Sequence, residues 1–137
     1  MGSSKVINTK PCLHSFARYL AWYKSHCDGD WEHSFGIDIK SMDNPGFWIT
    51  IDLAETECSE MSLEVTDNGF EQQYSDSPPS IWYKYWIEES KFICYCSTDA
   101  FEVVFDDFMK LVDGERARIG IPTFEATQFQ NYTAWLK

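Results

Sequence analysis

Period-two stretches fill the middle of this chain, and helix-period stretches flank them. Phe35, Ile37 and Ile39 alternate with Asp38 and Lys40, the pattern of a half-buried strand. Phe47, Ile49, Ile51 and Leu53 alternate with Trp48, Thr50 and Asp52. Asp43-Asn-Pro-Gly46 between the two runs is a turn signal, so together they predict an antiparallel hairpin. Met61, Leu63 and Val65 predict a third strand. Asp67-Asn-Gly69 predicts a turn leading into residues 70–74, and Pro78-Pro79 mark a loop over 75–80. Residues 81–87 and 91–97 predict a strand pair joined by Glu88-Glu-Ser90, with Tyr83 and Tyr85 on one face and Trp82 and Trp86 on the other.

On the N-terminal side, Leu13, Phe16, Ala17, Leu20 and Tyr23 follow helical spacing, with Pro11 suited to a first turn. Gly29 in Cys27-Asp-Gly-Asp30 suits the left-handed turn that ends such a helix. On the C-terminal side, Phe101, Val104, Phe105, Phe108, Leu111 and Val112 form an apolar helical stripe. Thr98 is read as its N-cap and Gly114 as its end. Residues 119–122 read as extended and 124–136 as a last helix. The order predicts an α+β fold: an antiparallel meander sheet of about five or six strands, an N-terminal helix and one or two C-terminal helices. The helices are expected on one sheet face, leaving the other to water or a partner. Residues 1–10 read as a flexible N-terminus, 11–114 as a single α+β domain, and 115–137 as an extension packing on it.

Charge is uneven along the 137 residues. The net charge is −11, yet residues 28–107 hold 19 Asp and Glu against three Lys. Such a field repels nucleic acid and anionic membrane and attracts basic proteins. The five cysteines match no disulfide framework, no apolar run approaches a membrane span, and no secretory segment follows the start. Reduced thiols and a cytoplasmic location are the expectation.

Three chemistries compete for Asp28-Gly-Asp30-Trp-Glu32-His33. The carboxylates and imidazole could hold a divalent metal, but Gly at the sixth position and Glu at the twelfth position of a calcium loop are missing. They could form a turn whose acids cap backbone N–H groups, with His33 packed beside Trp31. They could form an acidic-aromatic patch in which Trp31 anchors a partner and Asp28, Asp30 and Glu32 meet its Arg or Lys. The acidic surroundings argue against Cys27 as a nucleophile, because they raise a thiol's pKa. Cys94 and Cys96 share one strand face and read as buried thiols. No phosphate loop, dinucleotide fingerprint or basic stripe is present. No cofactor is implied.

The run Trp22-Tyr23, Cys27-Asp-Gly-Asp-Trp-Glu-His-Ser-Phe-Gly36, Ile39, Asp43-Asn-Pro-Gly46, Trp48 and Ile51-Asp-Leu53 resembles the immunity protein 53 family of bacterial polymorphic toxin systems. Residues 18–53 carry the resemblance; 81–114 fit it more loosely, and 115–137 look like an addition. Genes of the family sit beside toxin genes. The resemblance implies a non-enzymatic protein that binds a cognate toxin, and the acidic middle suits a basic, nuclease-like one. The expected contact residues are Asp28, Asp30, Trp31, Glu32, His33, Asp43 and Trp48. Two alternatives stay open: a small enzyme using Cys27 or a metal at Asp28, Asp30, Glu32 and His33, and an adaptor for another cellular protein.

Overall fold

A computed structural model of the chain describes residues 14–124. In chain order the elements are α1 (Ser15–His26), the single turn α2 (Trp31–Ser34), β1 (Ile37–Met42), β2 (Gly46–Asp52), β3 (Leu63–Asn68), β4 (Tyr83–Glu88), β5 (Lys91–Ser97) and α3 (Phe101–Arg118). Short 3-10 turns cover Glu71–Tyr74 and Thr98–Ala100. The five strands form one antiparallel sheet in the order β1-β2-β5-β4-β3. This is the expected α+β arrangement, but the sheet is not the expected simple meander: the 53–62 connection carries the chain from β2 to the far edge, so β5 and not β3 pairs with β2. Residues 70–74 add no sixth strand. Asp67 Oδ1 accepts from the Phe70 N–H at 3.1 Å and starts the turn that leaves the sheet.

Both long helices pack on one sheet face. From the sheet, Ile49, Ile51, Tyr85, Ile87, Phe92, Cys94 and Cys96 point inward. They meet Tyr19 and Trp22 of α1 and Val104, Phe105, Phe108, Met109 and Val112 of α3. The rings interlock edge to face, Phe108 lying 5.3 Å from Trp22 and 5.0 Å from Phe92, a geometry the ring quadrupole favours. Burial of this aromatic and aliphatic surface supplies most of the stabilisation.

Several boundaries differ from the sequence reading. The buried stripe of α1 runs through Ser15, Tyr19 and Trp22, while Leu20 stays exposed. Tyr19 and Trp22 carry more apolar surface than Leu20 and Ala17, and a helix offers the core one side only. Thr98 opens a 3-10 turn and makes no side-chain cap bond. Gly114 lies inside α3, which continues to Arg118. The terminating glycine is Gly120 at φ +86°. Ile121 N donates to Arg116 O at 2.9 Å and Gly120 N to Ala117 O at 3.1 Å, the paired bonds of a left-handed helix stop. Residues 119–120 therefore form a turn and not an extended segment. The expected flexible segment 1–10, and all of the expected last helix beyond Phe124, lie outside the described residues.

Gly46 closes the β1–β2 hairpin for a reason other than turn conformation. A Cβ there would stand 2.4 Å from the Cys96 carbonyl oxygen and 3.1 Å from the Trp82 ring. Only glycine lets β2 enter the sheet beside β5 at that point.

Candidate functional site

The turn from Cys27 to Ser34 is held by its own acids. Asp28 Oδ1 accepts from the N–H groups of Asp30 (2.9 Å) and Trp31 (3.0 Å). Glu32 reaches back, its two oxygens accepting from the N–H groups of Asp28 (3.0 Å) and Gly29 (2.8 Å). This is reciprocal capping, the logic of a capping box. The bonds from Trp31 and Asp30 hold the Asp28 carboxyl below its ordinary pKa. Gly29 takes φ +92°, which an L side chain resists. The Cys27 thiol donates to the Tyr23 carbonyl at 3.4 Å.

Trp31 is not the exposed anchor expected of it. It is 4% exposed, and its indole N–H donates to the Ala54 carbonyl at 2.9 Å. Its ring lies against Tyr23, His26 and Phe35, at 5.7, 5.5 and 6.0 Å. The histidine packed beside it is His26, and His33 is exposed together with Asp30. Thus Trp31 sets the turn on the domain, Asp28 and Glu32 shape it, and Asp30 and His33 are exposed at its surface. Among the described residues no group of three or more His, Cys, Asp or Glu is arranged to hold a metal ion.

A buried ionic cluster lies beneath this turn, with no counterpart in the sequence reading. Glu57, in the β2–β3 connection, accepts from Trp22 Nε1 at 3.1 Å and Arg116 Nη1 at 2.6 Å through one oxygen. His26 Nε2 stands 3.1 Å from its other oxygen. Among the described residues neither of those last two atoms makes a well-directed hydrogen bond, so their contact is one of proximity and charge. Burial alone would raise the Glu57 pKa, but the contacts with His26 and Arg116 win and bring it down to about 2. The cluster ties α1, the β2–β3 connection and the end of α3 together. Its members are 22, 26, 57 and 116 in the chain, so no local pattern announces it.

Among the described residues no helix packs on the other sheet face, and only the Phe70 turn reaches it. Strand alternation puts Trp48, Thr50 and Asp52 there from β2, and the register sets Tyr95, Ile93 and Lys91 of β5 opposite them. Lys84, Trp86 and Glu88 follow from β4, and Lys40 and Asp38 from β1. Trp48 is 41% exposed and stacks on Tyr95 at 5.7 Å. Tyr95 also meets Trp86 at 6.0 Å and Phe70 at 5.9 Å. All three lysines of residues 28–107 fall on this face. Lys40 pairs with Asp38 at 2.8 Å and Lys91 with Asp52 at 2.6 Å. The acid excess of that segment is therefore carried mainly away from these rows.

An open groove of about 440 Å³ joins this face to the motif turn. Glu32, His33, Gly36 and Asp38 border it, with Thr50, Asp52 and Lys91 from the sheet. His33 and Glu32 thus border a groove with Thr50 and Asp52, which lie two and four residues along β2 from Trp48. Asp43 is exposed at the hairpin end of β1, the opposite end of that strand from His33. The expected contact residues are split accordingly: Glu32 and His33 border the groove, Trp48 lies farther along β2, Asp43 stands apart, and Trp31 is inside.

The profile of immunity protein 53 matches residues 16–113. The chain belongs to the immunity protein 53 family. The matched region runs from α1 through most of α3, and holds the motif turn, all five strands and Glu57. Arg116 lies just past it. Membership supports an immunity function, implies binding to a cognate toxin and suggests a non-enzymatic role. No curated protein and no solved structure matches the chain. No helix among the described residues is long and apolar enough to cross a membrane.

Proposed function

We propose that this protein binds and neutralises a cognate toxin domain in the cytoplasm through the open sheet face and the motif turn beside it. The observation that carries the reading is Trp48, 41% exposed on a sheet face that neither of the two long helices covers. A large aromatic ring left in water on a rigid strand suits a binding anchor. Asp30 and His33 extend the contact at the near rim, and Asp43 at the hairpin end. Asp28, Trp31 and Glu32 act indirectly, by fixing the shape of the turn that presents them.

The net charge of −11 would speed the approach of a basic, nuclease-like toxin. Binding over the toxin's active site or substrate surface blocks it without chemistry by the immunity protein. Co-expression with the adjacent toxin gene tests the reading. Restored growth and a complex on a sizing column are expected. Cells that die as they do without the protein, with the two proteins eluting apart, would sink it.

A further inference from the structure

Lys84 differs from the other two lysines of the open face. Lys40 and Lys91 each hold a carboxylate within 2.8 Å. Among the described residues Lys84 forms no ion pair; its ammonium lies over the Phe70 ring, 4.6 Å from the centroid. Asp67 is its register neighbour on β3, but that carboxylate is turned to the Phe70 N–H. The result is a cation parked on an aromatic ring, beside the continuous run of Phe70, Tyr95, Trp86 and Trp48. A cation held only by a ring keeps its hydrogen-bonding capacity for an incoming anion. The rings are carried on strands and on a turn tied down by Asp67, so little ordering is needed on contact.

We propose that this ring surface with Lys84 at its margin is the docking site for an acidic-apolar element of the cognate toxin. An apolar or aromatic toxin side chain would sit on Trp48, Tyr95 and Trp86, and a neighbouring carboxylate would pair with Lys84. The proposal rests on the immunity reading and adds the chemistry of the contact. It separates two roles of charge. The acidic surface elsewhere draws a basic toxin from a distance, whereas the docking face selects a carboxylate at close range.

The test is binding of the full chain to an inactive form of the adjacent toxin domain, followed by surface plasmon resonance in low and high salt. Trp48→Ala is expected to weaken binding at least about thirtyfold. Lys84→Gln should weaken it about tenfold, and Lys84→Glu further. A Lys replacing the toxin carboxylate should restore binding to Lys84→Glu. Melting curves check that both variants fold, and Lys84 lies outside the core, so its arm stands even if Trp48→Ala unfolds. Binding within twofold of the starting protein for either residue, or tighter binding by Lys84→Glu, overturns the proposal. In that case wild-type binding still upholds the immunity reading, whereas no binding by the unaltered chain removes both.

Discussion

The Trp31 indole N–H donates to the Ala54 carbonyl at 2.9 Å, pinning the motif turn to the segment that follows β2. That bond, and the ring's near-complete burial, make Trp31 a folding residue. Trp31→Ala should cost about 3–5 kcal/mol, the range for removing a buried large aromatic. Trp31→Phe keeps part of the packing but leaves the Ala54 carbonyl without its donor, and about 1–3 kcal/mol is expected. Urea unfolding followed by circular dichroism gives both values. A Trp31→Ala protein as stable as the original would contradict this placement.

Glu57 gives the fold an acid limit. Its pKa falls from an ordinary 4.5 to about 2 on folding. A depressed folded pKa stabilises fully above the unfolded value and is lost as pH falls through the folded one. The window is therefore pH 4.5 down to 2, and the contribution is about 3 kcal/mol. Other carboxylates titrate in the same range, so the useful quantity is the difference from Glu57→Gln. That variant is expected to be less stable at neutral pH, because His26 and Arg116 lose their anion, and to depend less on pH below 4.5. Parallel pH dependence of the two proteins would rule the cluster out as the source.

Tyr19 presents the opposite case. Its hydroxyl is buried without a hydrogen-bond partner among the described residues, and burial pushes its pKa well above the ordinary value. Tyr19→Phe removes an unsatisfied polar atom and keeps the ring. It should be neutral or stabilising by up to about 1 kcal/mol. A loss of more than that in thermal unfolding would mean that the hydroxyl has a partner in solution.

Two glycines of the motif separate cleanly. Gly46→Ala drives a methyl into the Cys96 carbonyl and should cost about 2–3 kcal/mol, as overpacking does. At Gly36 a Cβ meets nothing closer than Tyr23 Cε1 at 3.8 Å, and Gly36→Ala should cost less than about 1 kcal/mol. Melting temperatures rank the two; equal effects would contradict the close approach at Gly46.

The central strands β2, β4 and β5 were legible because side chains alternate between a dry and a wet face, whereas on the edge strands Ile39 and Val65 are exposed; the α3 stripe was legible because Phe and Val recur at helical spacing. The motif was legible as a unit, and its acids do cap the turn. The sequence could not separate an exposed Trp31 from a buried one, since Ala54, Tyr23 and His26 meet it only after the chain folds. Trp48 stood in a plain alternation that already gave its face. The buried stripe of α1 differs from its sequence pattern because the helix carries two overlapping apolar faces, and packing against α3 selects the one with Tyr19 and Trp22. The Glu57 cluster and the free Lys84 depend on register and on contacts between distant segments, which no local pattern encodes.

Hydroxyl-radical footprinting of the full chain, alone and bound to the inactive toxin domain, tests the central claim most directly. Trp48 and Leu20 are about equally exposed, on opposite sides of the domain. Slowed modification of Trp48 in the complex, with Leu20 unchanged, is the expected result. A stable complex in which Trp48 reacts as fast as in the free protein would contradict the assignment of the open sheet face.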